Sequence, residues 1–227
     1  MPCSLWIALL TVMVIGGNPA FAATELKSDQ DKRSYAIGAN VARNIKQQEV
    51  AVDPALVAQG VLDEMAGKSL LTDKELGAIM QKLQGEVRQK MTAEQEKAGV
   101  ANKKKGEAFL ASNARQDGVK VLPGGVQYKV LQAGTGRIPT AQDTVLCNYR
   151  GTLVDGTVFD ASPAGKPVSF KVAQVIPGWQ EALKLMPVGS KWRLVIPADK
   201  AYGPRGAGNA IGPNETLVFE VELVAIQ

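Results

Sequence analysis

Along the first half of the chain apolar residues recur at helical spacing, and along the second half they alternate. From Ser34 to Gln47, Ile37, Val41 and Ile45 stand on one face beside a parallel row of small residues, Ser34, Gly38 and Ala42. That pattern predicts a helix with a slot where another helix can approach closely. Asp53-Pro54 supplies an N-cap followed by proline at the first helical position, and Val57, Val61 and Met65 continue on one side as far as Gly67. Thr72-Asp73-Lys74-Glu75 reads as a capping box for a third helix, whose apolar stripe is Leu76, Ile79, Met80, Leu83, Val87 and Met91. Beyond Met91 the stripe fades into Glu, Gln, Lys and Asn, so this part is expected to be bathed in water on nearly all sides. Gly99 and Gly106 then read as soft points, each costing about 1 kcal/mol against alanine. Helical from Thr72 to Asn113, the segment would reach about 60 Å and have little to pack on within its own subunit.

After Leu122-Pro123-Gly124-Gly125 the period changes. Val126, Tyr128 and Val130 share one face of a strand, Val145, Cys147 and Tyr149 one face of the next, and Leu217, Phe219, Val221 and Leu223 one face of the last. Cys147 points with core residues and reads as an apolar filler. At Val175-Ile176-Pro177-Gly178-Trp179 an extended run meets a Pro-Gly turn, and a short helix begins with an indole in its first turn. A tryptophan at such a corner can floor a cavity. Several antiparallel strands with one short helix make an α+β domain, a curved antiparallel sheet wrapped on that helix. The expected division is an all-α domain with its long connecting helix over 23–117 and a sheet domain with its own core over 118–227.

The chain opens with an apolar run, Leu5 to Gly16, then Gly16-Gly17-Asn18-Pro19 and Ala20-Phe21-Ala22, which fits a signal peptide over 1–22 cleaved before Ala23. The run lacks a preceding Lys or Arg, so a membrane anchor is the alternative reading. Cys3 would leave with the leader, and a single remaining thiol, Cys147, suits an oxidising compartment. No histidine occurs anywhere, which excludes Ser-His-Asp and Cys-His chemistry in their usual forms and any His-ligated metal. Lys103-Lys104-Lys105 has no interleaved aromatics and reads as a solvated charged face, not a nucleic-acid site. Asn214-Glu215-Thr216 matches a glycosylation sequon, discounted because the leader looks bacterial. A helical domain this small, carrying apolar stripes, is expected to be completed by a second copy.

Tyr149, the Asp155-Gly156 turn with Phe159-Asp160, the Trp179 corner, Ala201-Tyr202-Gly203 and Ile211-Gly212-Pro213 recur in this order in the FKBP-type (macrolide-binding) peptidyl-prolyl isomerases. The chain resembles that family from Gly124 to Gln227, and from about Ser34 it resembles the macrophage infectivity potentiator branch, envelope isomerases of Gram-negative bacteria with a helical dimerisation domain in front. The resemblance implies Trp179 beneath the proline ring, with Tyr149, Phe159, Val175, Ile176 and Phe219 lining the cavity and Val168 and Ile211 on its apolar walls. It implies the Ile176 N–H and the Tyr202 hydroxyl as holders of substrate carbonyls, and Asp160, steadied by Tyr149, as the polar group at the twisting bond. No metal or cofactor is implied. The partners implied are unfolded or partly folded proteins with X-Pro bonds and a second copy bound through residues 23–114, in the periplasm or attached to the envelope. Macrolide inhibitors are a further implied ligand. On that point the chain departs from many relatives: the loop Ala161-Ser162-Pro163-Ala164-Gly165 is one residue shorter and lacks an Arg, Val168 replaces a common aromatic, and Ala207 a frequent His. A binding module for proline-containing segments with incidental isomerisation stays open beside the enzyme reading.

Overall fold

The computed structural model describes residues 25–227, so the leader read over 1–22 lies outside the described residues. By its contacts the chain forms two compact units, the first ending at Lys74 and the second running from Glu75 to Gln227.

The first unit holds α1 (Asp29–Gln47) and α2 (Pro54–Met65). Ser28 caps α1 reciprocally: its Oγ accepts from the Asp31 N–H at 3.1 Å and its own N–H donates to Asp31 Oδ2 at 2.8 Å. Asp53 caps α2, accepting the Ala55 N–H at 2.8 Å, with Pro54 in the first turn as the sequence pattern predicts. Neither helix buries a single residue. Ile37 and Met65 remain 69% and 85% exposed, so the predicted stripes are present but find no core among the described residues.

The second unit begins with α3, which is helical from Asp73 to Asn113. Seven strands follow: β1 (Val119–Val121), β2 (Gln127–Gln132), β3 (Thr144–Leu153), β4 (Val158–Ala161), β5 (Val168–Lys171), β6 (Lys191–Ile196) and β7 (Leu217–Ile226). All pairings are antiparallel, in the order β1-β2-β6-β7-β3-β4, with β5 also on β3. The single α-helix among them, α4 (Pro177–Leu183), packs on one face of the sheet and buries Trp179, Ala182 and Leu183 in a core with Val145, Leu194, Ile196, Leu217 and Leu223. The α+β sheet wrapped on a helix is therefore as expected. Cys147 is fully buried in the same core, and burial pushes its thiol up to about 12, which fits a filler and not a nucleophile.

Beyond Met91, α3 is exposed along most of its length, as expected, but one stripe of it meets the opposite face of the sheet. Gln127, Val195 and Val218 lie across from one another in register on β2, β6 and β7, outside the core cluster around α4, yet each is less than a tenth exposed. The last turns of α3 reach this face at Gln127 and Thr216. The Gln127 side chain donates to the Leu110 carbonyl at 3.0 Å and accepts from Asn113 Nδ2 at 2.8 Å, and Gly99, Gly106 and Asn113 are the buried residues of α3. A Cβ at Gly106 would collide with Thr216 Oγ1 and stand 3.0 Å from Thr216 Cβ. These glycines mark a close approach of the helix to the segment that leads into β7, not soft points. The division expected at 117/118 and the division by contacts at 74/75 differ because the helix packs with the strands it precedes.

The two readings of Gly106 predict opposite signs. In a solvated helix, Gly106→Ala would stabilise by about 1 kcal/mol. Against Thr216 the added methyl overpacks the contact and should destabilise by about 1–3 kcal/mol. Thermal unfolding distinguishes them, and a rise in Tm would show that the helix stands off the sheet.

Candidate active site

The outer edge of β3 is shared. β5 pairs with Thr144 to Cys147 and β4 with Arg150 to Thr152, which leaves Tyr149 at the split between them. Ser162 fills the missing rung: its Oγ accepts from the Tyr149 N–H at 3.0 Å, and its N–H donates to the Tyr149 carbonyl at 3.0 Å. With its backbone clamped, Tyr149 directs its hydroxyl to Asp160 Oδ2 on β4 at 2.7 Å. Burial first, and then the hydrogen bond to the Asp160 carboxylate, push the phenol up to about 12, so it remains a protonated donor at any physiological pH.

The corner before α4 is built with equal care. Ile176 is the N-cap, Pro177 opens the helix, and the Ile176 carbonyl accepts from the Trp179 and Gln180 N–H groups at 3.0 and 3.1 Å. The Gln180 side chain reaches back to the carbonyls of Val175 at 2.8 Å and Ala173 at 3.3 Å, holding the 172–176 turn against the helix. Among the described residues neither the Ile176 N–H nor the Tyr202 hydroxyl has a hydrogen-bond partner.

Trp179 is 4% exposed and receives the rings of Tyr149, Phe170 and Phe219 edge-on, with centroids 5.7, 5.5 and 5.4 Å away. Above it opens a cavity of about 300 Å³. Of the residues anticipated from the sequence, Tyr149, Asp160, Val175, Ile176, Trp179, Tyr202 and Phe219 line it. Three others lie elsewhere. Phe159 packs edge-on behind Phe219 at 5.4 Å, Ile211 is buried in the core cluster, and Val168 sits on β5 opposite Cys147. The sequence reading missed Phe170 and Gln174, which do line the cavity. Val168 and Phe170 share one face of β5, and only Phe170 lies against Trp179.

An apolar cavity with one carboxylate, two free donors and no histidine suits a reaction that needs no proton transfer. Family models agree with that chemistry. The one described as FKBP-type peptidyl-prolyl cis-trans isomerase matches residues 135–224, and the domain amino terminal to it matches residues 30–130. The chain is 48% identical over 221 residues to the outer membrane protein MIP of Legionella longbeachae, covering 95% of each. It is 40% identical over 225 residues to the peptidyl-prolyl cis-trans isomerase Mip of Coxiella burnetii, covering 98% of each. The crystal structure of FkpA from Escherichia coli superposes with a TM-score of 0.69 at 40% identity, over 89% of this chain and 99% of that one. The chain belongs to the FKBP-type peptidyl-prolyl cis-trans isomerases, with that family's amino-terminal domain ahead of its catalytic sheet.

Proposed function

We propose that the Trp179-floored cavity catalyses X-Pro rotation by taking the bond out of water while Tyr149, Asp160, Tyr202 and the Ile176 N–H hold it. The barrier is amide resonance, about 18–20 kcal/mol. In the planar ground state the carbonyl oxygen carries partial negative charge that water stabilises, and in the twisted state that charge separation shrinks. Transfer to an apolar cleft therefore raises the ground state more than the transition state, driven by burial of the proline ring on Trp179, Phe170 and Phe219. Tyr202 and Ile176 orient the flanking carbonyls. Asp160, its carboxylate fixed by Tyr149, faces the twisting bond. The observation that carries this reading is the Tyr149–Asp160 hydrogen bond standing beside a buried indole. The same aromatic floor is the proposed seat for a macrolide.

The wider role proposed is folding assistance in the periplasm of a Gram-negative bacterium, acting as a homodimer on unfolded or partly folded proteins with X-Pro bonds. The exposed stripes of α1 and α2, without a core of their own, support a second copy as their cover. Support for the envelope comes from the leader-like run and from the similarity to an outer membrane protein of Legionella longbeachae. Among the described residues no helix is long and apolar enough to cross a membrane.

A protease-coupled assay on a proline tetrapeptide tests the site. Asp160→Ala and Tyr202→Phe should each lower kcat/KM about tenfold, the equivalent of one lost charge-assisted or carbonyl hydrogen bond, with an unchanged circular dichroism spectrum. Full activity in both variants would remove the assigned roles.

A further inference from the structure

The segment that carries Tyr202 is tied to α3 as well as to the sheet. After Tyr202 the chain makes a 3-10 turn at Gly203–Arg205, closes a small loop through the Ala207–Ile211 bridge, and returns to Asn214, whose N–H donates to the Gly203 carbonyl at 2.9 Å. Asn214 therefore closes the loop one residue from the catalytic tyrosine. It does so with φ at +55°, a left-handed conformation that asparagine tolerates better than other side chains apart from glycine.

Two side-chain amides then fasten this loop to the long helix. Asn214 Nδ2 donates to the Gly99 carbonyl at 3.3 Å, and Asn102 Nδ2 on α3 donates to the Pro213 carbonyl at 3.0 Å. A side chain on either surface would crowd the crossing. A Cβ at Gly99 would stand 3.1 Å from Asn214 Nδ2 and 3.2 Å from Pro213 Cβ, and one at Gly212 would stand 3.1 Å from Asn102 Nδ2. The sequon match at Asn214 has the same explanation: its amide is bonded to the helix, and Thr216 is 3% exposed beneath Gly106.

We propose that Asn102 and Asn214 are positioning residues of the isomerase, which make the second half of α3 a scaffold for the Tyr202 rim of the cavity. This rests on the reading that Tyr202 holds a substrate carbonyl. Releasing the two amides frees the loop that ends at Gly203, and displacement of a substrate-holding group by about 1 Å is enough to cost one to two orders of magnitude in rate.

The test is a double-mutant cycle in the full-length protein. Asn214→Gly keeps the left-handed backbone and removes the tie to Gly99, and Asn102→Ala removes the tie to Pro213. Each is expected to lower kcat/KM on a proline tetrapeptide about fivefold to tenfold. Combined with Tyr202→Phe, each should add almost nothing, because a displaced Tyr202 has already lost its bond. General destabilisation would not produce that coupling, and Tm measured on the same samples reports it separately. If Tyr202→Phe lowers activity but the asparagine variants keep it, or if their losses multiply with that of Tyr202→Phe, the positioning role is overturned while the reading of Tyr202 stands. If Tyr202→Phe itself costs nothing, both fall. Should Asn214→Gly fail to fold, the Asn102→Ala arm carries the same cycle from the helix side.

Discussion

A fragment beginning at Val119 should be far less stable than one beginning at Glu94, although both contain every residue that lines the cavity. The difference is the stretch of α3 that covers the back of the sheet. Without it, Val195 and Val218 face water, at about 1.5–3 kcal/mol for each fully buried side chain, and the Gln127 bonds to Leu110 and Asn113 are lost at about 1 kcal/mol each. The sum, roughly 5–8 kcal/mol, is comparable with the entire net stability of a typical domain. Urea unfolding followed by circular dichroism is the measurement. The Glu94 fragment should show a cooperative transition near that of the whole protein, while the Val119 fragment should be unfolded or nearly so in buffer and inactive on peptides. Equal midpoints would mean that the helix cover contributes nothing to the fold.

The second large effect separates short substrates from long ones. The Glu94 fragment should isomerise tetrapeptides at nearly the full rate, since a tetrapeptide occupies one cavity and gains nothing from a second. In refolding of a protein limited by proline isomerisation, the same fragment should be slower than the full chain by about an order of magnitude. A client engaged at one cavity of a homodimer meets the other at high effective concentration, and that gain disappears with the dimer. Gel filtration gives the companion result, a monomer for the fragment and a dimer for the whole. A fragment that dimerises, or that refolds proteins as well as the full chain, would contradict the assignment of α1 and α2 to assembly.

The Trp179 corner was legible because Pro-Gly turn chemistry and a β-branched run are local, and the period change at Leu122 marks the sheet for the same reason. The back of the sheet was not. Gln127 occupies a position that alternation assigns to solvent, and nothing near it in sequence announces the helix end that pairs with it. Gly99 and Gly106 have the composition of weak points in a polar helix, and they become contact points only because Pro213, Asn214 and Thr216 arrive from more than a hundred residues away. In the site, period 2 placed Val168 and Phe170 on one face but could not say which of them reaches the indole. Ile211 shows the converse: a motif residue read as wall is enclosed within the core and pairs with Ala207 in a short bridge.

The placement of the tryptophans has an optical consequence. Trp179 and Trp192 both lie in the second unit, Trp179 in the cavity floor and Trp192 stacked on Tyr128 with centroids 4.4 Å apart, while residues 25–74 contain no tryptophan. Emission excited at the red edge of the indole band therefore comes, for residues 25–227, from the catalytic unit. Of the two, only Trp179 lines the cavity, so Trp192→Phe would leave an emission whose quenching or shift on adding a ligand reports Trp179. Residues 25–74 offer no indole, so a titration of the proposed subunit association through α1 and α2 is best followed with a label placed on those helices.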